Sequence, residues 1–330
     1  MNRRTASTFV MVGLLWGSAW IPSSFVLPQV PGLQAGALRF AIAAIFTTLL
    51  AQSRKETHLV PSLVLGVTMV ALPYALTVWA AGQVSPGIVA TLFASMPLAA
   101  LLMSPEAASR AIPTLVIGIG GVATLVAQGL STSTGQIKGV FLIGTAVALG
   151  AFSLNYAQRH LRQSDILASV AIQFAAAAIL LGALSVATER MDSIGWSEQA
   201  VFSLLILGVT VSSVTLPLVY WLLTKLEVWQ VAALQWIATL VAVVQAAWFL
   251  RAKSSVEMWA GSAMIVGATI WLLRGDGVGR QEAVTLQITN RTFDTATASE
   301  SEVGSKVDLG SRSGGSQTRN ERVHVHRRRR

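Results

Sequence analysis

The chain has 330 residues, 53% of them hydrophobic and only 12% charged, where a soluble domain carries about 25% charged residues. Its formal charge is +9, yet 18 of the 39 charged side chains (11 basic, 7 acidic) lie beyond Leu273. The preceding body, with 13 basic and 8 acidic groups, cannot coat itself in water-facing charge; a soluble globular domain is excluded and lipid must be the solvent.

The charge is no nucleic-acid signature, because it divides between loops and tail. There are no cysteines, so disulfides and thiolate chemistry are excluded. None of the four histidines sits inside an apolar run, and no metal or cofactor site is expected.

Apolar stretches of about 17–24 residues, close to what a bilayer-crossing helix needs, run over 8–26, 33–51, 60–81, 86–103, 112–130, 138–157, 166–187, 200–223, 228–250 and 257–273. Span one follows Asn2-Arg3-Arg4, a flank that also opens signal peptides; its length and its place in the repeat mark it as retained. It carries Trp16 and Trp20, spaced i, i+4, with Gly13 and Gly17 beside them. Small residues let helices approach closely, and an indole can wall a cavity. Span two follows Pro28-Gln29-Val30-Pro31-Gly32 and carries Arg39. Arg39 is the one basic residue well inside a predicted span, and two readings stand for it: an anchor for a substrate carboxylate, or a side chain snorkelling to the interface. Span three holds Tyr74 directly after Pro73, and span eight holds Pro217 and Tyr220. Those prolines can open the backbone ladder near a site. Trp79 and Trp221, each near a helix end, fit an interfacial belt. Asn155 with Ser153, Gln173, Ser212-Ser213, Gln235 and Gln245 are uncharged polar groups within apolar runs, and Trp236 adjoins Gln235. Their commonest use is helix–helix hydrogen bonding, as simple packing is for the aromatics.

The chain repeats itself. Leu65-Gly66-Val67-Thr68 recurs as Leu207-Gly208-Val209-Thr210, Trp79 as Trp221, and Val89-Ala90 with Leu92 as Val231-Ala232 with Leu234, all at an offset of 142 residues. Arg39-Phe40-Ala41-Ile42-Ala43-Ala44-Ile45 returns as Gln173-Phe174-Ala175-Ala176-Ala177-Ala178-Ile179 at an offset of 134. A duplicated hydrophobic half is the mark of a transporter built from two repeats. With the N-terminus in the cytoplasm, eight Lys and Arg fall in inner loops and four in outer loops, the favoured orientation. Five spans per half is odd, so the second half must cross in the opposite sense to the first.

Beyond Arg274, Gly, Ser, Thr, Arg and Glu dominate and periodicity stops, which predicts disorder. The terminal His324-Val325-His326 and Arg327 to Arg330 read as a solvated tail. Weak membrane attraction is the alternative. The expectation is an all-α membrane protein of ten transmembrane helices: two inverted five-helix repeats, 8–130 and 138–273, and a disordered cytoplasmic tail, 274–330.

The chain resembles the ten-helix drug/metabolite transporter superfamily, EamA type. The resemblance rests on Leu15-Trp16-Gly17-Ser18-Ala19-Trp20, on Arg39 before an alanine-rich run, and on Ala80-Ala81-Gly82-Gln83-Val84-Ser85-Pro86-Gly87-Ile88-Val89-Ala90-Thr91-Leu92 with Pro97 following. It covers residues 8–273. It departs from the family at Glu106, which follows Pro97 early, and after span nine, where Phe249-Leu250-Arg251-Ala252-Lys253 holds no acid. The resemblance implies alternating access around a midplane cavity. Asn155 and Gln235 lie in spans six and nine, which in that family help line it. The expected substrate-binding set is Arg39, Trp16, Trp20, Tyr74, Asn155, Tyr220, Gln235 and Trp236.

The resemblance further implies a multi-pass carrier of small polar or amphipathic metabolites in the plasma or inner membrane, both termini cytoplasmic, exporting amino acids or related compounds. Its partners are a small-molecule substrate and the bilayer, with monomer and homodimer both open and no nucleic acid. Multidrug or cation efflux is an alternative, and a non-transporting scaffold a further one. An intramembrane enzyme would need a buried nucleophile with a base, or a metal cluster. No Asp or Glu lies at the middle of any span, so exchange or facilitated transport is expected over strong proton coupling.

Overall fold

The computed structural model describes residues 2–51, 56–84, 89, 92–103, 108–126, 134–161, 164–190, 195–249, 260–261, 263–268 and 270–271. The chain divides into two units, Met1–Arg274 and Gly275–Arg330, and the described helices belong to the first. The expected disordered tail, 274–330, lies outside the described residues, as do Glu106, Arg251, Lys253 and Glu257.

Nine helices follow in chain order among the described residues. They are α1 Arg3–Val26, α2 Gly32–Leu50, α3 Leu59–Ala80, α4 Leu92–Leu102, α5 Ala108–Val126, α6 Thr134–His160, α7 Ile166–Thr188, α8 Glu198–Leu223 and α9, which runs Val228–Ala232 and then Leu234–Phe249. They fall on the first nine expected spans. Helical pieces between residues 260 and 271 lie where the tenth was expected. Six of the nine (α1, α2, α3, α6, α7 and α8) are long and apolar enough to cross a membrane. Their outer faces are apolar: Ile45 is 63% exposed and Leu49 77%, a surface that suits lipid and not water.

Local chemistry sets the helix ends. Asp165 accepts from Ala168 N at 3.1 Å and Ser197 from Ala200 N at 3.2 Å, so each caps the helix that follows. Glu227 and Gln230 form a reciprocal capping box at the start of α9. At α2 the cap comes from elsewhere. The Glu189 carboxylate, just past α7, accepts from Leu33 N at 2.7 Å and Gln34 N at 3.0 Å, and the Ser185 hydroxyl donates to it at 2.7 Å. A negative charge meets the positive end of the helix dipole there.

Both α3 and α8 contain a π-helical segment, Gly66–Ala71 and Ile206–Ser212. A proline follows each, Pro73 and Pro217, and proline cannot supply the amide a regular helix would use. Widened turns free carbonyls, and side chains take them up. The Ser212 hydroxyl donates to Leu207 O and that of Ser213 to Gly208 O, both at 2.9 Å, and Thr215 donates to Val211 O.

The two copies pack reciprocally. The α2 and α7 helices, mates in the repeat, lie against each other. Helix α7 also packs on the π segment of α3, and α2 on that of α8. Likewise α1 pairs with α9, and α6 with α4. The duplicated glycines show why. A Cβ at Gly66 would stand 2.8 Å from Gln173 O and 2.9 Å from Ala176 Cβ. At Gly208 it would stand 3.0 Å from Arg39 O and 2.6 Å from Ile42 Cγ2. Arg39 and Ile42 are the repeat mates of Gln173 and Ala176. Where the two copies meet, a residue touches its own mate: the Phe40 and Phe174 rings stack at 5.7 Å, and Trp236 Nε1–H donates to Ala94 O at 3.1 Å across 142 residues.

Candidate substrate cavity

A cavity of about 320 Å³ opens between the helices and draws on both repeats. Helix α1 supplies Trp16, Gly17 and Trp20; α2 supplies Arg39 and Phe40; α3 supplies Met69, Val70, Pro73, Tyr74 and Thr77. Val89, Phe93 and Phe174 also line it, and α8 and α9 supply Ser212, Thr215, Leu216, Gln235, Ala238, Thr239 and Ala242. Trp20 in α1 and Tyr74 and Thr77 in α3 place the larger cavity toward the ends where those two helices finish.

A smaller cavity of about 120 Å³ adjoins it. Trp16, Met69, Pro73, Phe93 and Gln235 line both, so they stand at the boundary between the two. The rest of the smaller wall is Met96, Ala146, Gly150, Leu154, Val219, Val231 and Ala232. These lie toward the opposite ends of α6, α8 and α9.

Arg39 is the charge in the larger cavity. Its Nε–H donates to Ser212 Oγ at 2.8 Å, and its guanidinium sits 5.3 Å from the centroid of the Phe40 ring. That combination holds the side chain inside the bundle rather than at the lipid surface. Among the described residues no carboxylate lines the cavity and none forms an ion pair with Arg39. The Tyr74 hydroxyl donates to Gly32 O at 3.3 Å, and its ring meets Phe40 edge-on at 5.5 Å, which orients the wall beside Arg39. Thr77 and Thr215 spend their hydroxyl hydrogens on backbone carbonyls one turn back. Gln235 reaches both cavities.

The structure therefore brings together Trp16, Trp20, Arg39, Tyr74 and Gln235. It places Asn155, Tyr220 and Trp236 elsewhere. Asn155 is buried in α6, where its amide donates to Ala151 O at 3.0 Å and to Met103 Sδ at 3.7 Å. Tyr220 is buried and donates to Gln173 Oε1. Trp236 is fully buried against Gly118 and bonded to Ala94 O. Tyr220 and Trp236 satisfy their polar atoms by joining helices, and Asn155 satisfies its amide within α6 and against Met103.

Phe40, Phe174, Phe93, Thr215 and Thr239 also line the cavity without having been singled out as site residues. One signal could have found the first two: Phe40 and Phe174 are repeat mates flanking Arg39 and Gln173. No group of three or more His, Cys, Asp or Glu gathers as a metal would require among the described residues.

The model of the EamA-like transporter family matches residues 4–130 and again 137–274. Protein PagO of Salmonella typhimurium (strain LT2) is 26% identical over 212 residues, covering 61% of this chain and 70% of that protein. An uncharacterized transporter of Buchnera aphidicola subsp. Schizaphis graminum is 24% identical over 102 residues, 29% of this chain and 34% of that one. A solved crystal structure superposes with a TM-score of 0.67 at 17% identity, covering 83% of this chain and 97% of its own, and so shares the fold.

Proposed function

The chain belongs to the EamA-like transporter family, and from that premise we propose that it exports small carboxylate-bearing metabolites, amino acids foremost. One observation carries the substrate class: a guanidinium without a carboxylate partner among the described residues, standing in a cavity otherwise walled mostly by apolar and aromatic groups. Ser212 holds Nε, and the planar fork suits the two oxygens of a carboxylate. A volume of about 320 Å³ lies in the range of small-ligand sites.

The mechanism is alternating access between two inverted five-helix repeats, 8–130 and 138–273, in a ten-helix bundle of the plasma or inner membrane. The reciprocal packing supports a pseudo-twofold relation, and five spans per half is what makes it an inversion. A pseudo-twofold axis brings a residue on it against its own mate, as with Phe40 and Phe174, and makes off-axis contacts occur in pairs, as at Gly66 and Gly208. With both termini cytoplasmic, the ends of α1 and α3 lie outside, so the larger cavity is the outward-open vestibule. The boundary at Trp16, Met69, Pro73, Phe93 and Gln235 separates it from the inner half. Without a carboxylate in the cavity wall among the described residues, exchange or facilitated flow is the simplest energetics. A cationic drug would instead stand near a like charge: at ~6 Å and an effective dielectric of ~20 the repulsion is about 3 kcal/mol, which favours anions and zwitterions.

The test is radiolabelled counterflow in proteoliposomes across amino acids, nucleosides and cationic dyes, wild type against Arg39→Ala. Exchange of carboxylate-bearing compounds that the mutant loses supports the reading. Exchange indifferent to Arg39 moves that residue to a structural role, and exchange of dyes alone overturns the substrate class.

A further inference from the structure

The smaller cavity has no part in holding a carboxylate. Its wall is apolar apart from Gln235 and the Trp16 indole at the shared boundary: Met96 from α4, Ala146, Gly150 and Leu154 from α6, Val219 from α8. An apolar hole inside a packed bundle denies the atoms around it contacts that a filling group would supply. It adjoins the Arg39 cavity, because Trp16, Phe93 and Gln235 line both; side-chain rotation at that shared boundary is what would let a substrate reach it. At about 120 Å³ it is close to the ~150 Å³ engineered cavity that takes up benzene.

We infer that the smaller cavity is the side-chain subsite of the carrier, and that it sets substrate preference: the carboxylate meets Arg39 while a branched aliphatic or single-ring side chain passes the boundary and fills the space beside Gly150 and Leu154. This rests on the carboxylate reading above and deepens it. The preferred substrate is a monocarboxylate, zwitterionic or anionic, whose other end is uncharged and apolar. A charged or amide side chain would enter a wall whose side chains offer it no partner beyond Gln235 and the Trp16 indole at the boundary, and a polar group left unpaired past them is strongly disfavoured.

Gly150 fixes the subsite's width. A Cβ there would stand 2.7 Å from Met96 Cε, the mobile end of a flexible side chain. A larger residue can therefore be seated by swinging Met96, which itself lines the subsite. Leu154 is the opposite lever, since trimming it enlarges the space.

The experiment is counterflow of radiolabelled leucine into proteoliposomes of the full chain, competed by unlabelled alanine, valine, leucine, phenylalanine, glutamate and lysine. In wild type each added buried methylene strengthens competition about fourfold, so leucine outcompetes alanine at least tenfold, and glutamate and lysine are the weakest. Gly150→Val collapses the leucine-to-alanine ratio toward unity. Leu154→Ala moves the optimum toward phenylalanine. A wild-type series flat in side-chain size overturns the inference, and so does a Gly150→Val variant that weakens every competitor by one common factor. Arg39→Ala in the same assay separates the two readings. If competition in wild type is size-graded yet independent of Arg39, the carboxylate reading fails, and this inference with it. If competition depends on Arg39 but ignores Gly150 and Leu154, only the subsite fails.

Discussion

The reciprocal approach of α2 and α7 to the two π segments can be tested at single atoms. Consider Gly66→Ala. A methyl there meets Gln173 O at 2.8 Å, Ala176 Cβ at 2.9 Å and Gln173 Cα at 3.0 Å. All three are backbone or Cβ atoms, so no rotamer change relieves them. Overpacking of this kind costs about 1–3 kcal/mol, set against a gain of about 1 kcal/mol from replacing glycine in a helix. Gly208→Ala meets Ile42 Cγ2 at 2.6 Å, Ile42 Cβ at 2.8 Å and Arg39 O at 3.0 Å. Gly144→Ala on α6 is the control, because nothing lies within 4 Å of its methyl. It keeps the gain without the clash. The expected gap between either repeat glycine and the control is about 2 kcal/mol, or roughly 3 °C in Tm for a chain of this size. Thermal unfolding in detergent, followed by tryptophan fluorescence, reads it directly. If Gly66→Ala and Gly208→Ala unfold where Gly144→Ala does, the helices do not approach at these glycines and the argument for paired contacts is wrong. If one falls and the other does not, the packing is not reciprocal.

Three further outcomes follow from the same structure. Glu189→Ala strips the cap from α2 and leaves Leu33 N and Gln34 N without their acceptor; at this half-exposed site the expected loss is about 1–2 kcal/mol. Glu189→Gln loses about half of that, and equal melting of wild type and Glu189→Ala would show the cap to be idle. Trp236→Phe keeps the buried ring but deletes the donor to Ala94 O, lowering stability by about 1–3 kcal/mol in a detergent melt while leaving the Arg39 vestibule formed. Ending the chain after Arg274 leaves counterflow per inserted protein within about twofold of the full chain; loss of exchange would make residues 275–330 part of the transport machinery.

Sequence reasoning recovered the membrane class because hydropathy and charge are summed along the chain and need no geometry. The nine described helices fall where the apolar runs fall, with ends shifted by a few residues: α5 begins at Ala108 instead of 112, and α6 at Thr134 instead of 138. The duplication was legible too, as identical letters at two fixed offsets. What the letters could not say is that Gly66 and Gly208 each face the other copy's second helix, because contact partners lie more than 100 residues away.

The site divided in the same way. Arg39 was legible from its sequence alone, since a charge in an apolar span demands an explanation. Trp16, Trp20, Tyr74 and Gln235 share its cavity, while Tyr220 and Trp236 turned to hydrogen bonds between helices and Asn155 to one within its own. Residue type does not separate these fates: an aromatic or amide beside a proline or glycine can face space or a neighbour equally well. Rotation of each helix about its axis decides it, and that rotation is fixed by the close contacts at the glycines and by the α2–α7 seam. The sequence by itself thus determined solvent, span positions, repeat and the one embedded charge, all local or additive properties of the chain. Only the tertiary structure decided which side chains share the cavity with Arg39 and that an apolar pocket adjoins it, because an enclosed volume belongs to several helices at once and to none of them singly.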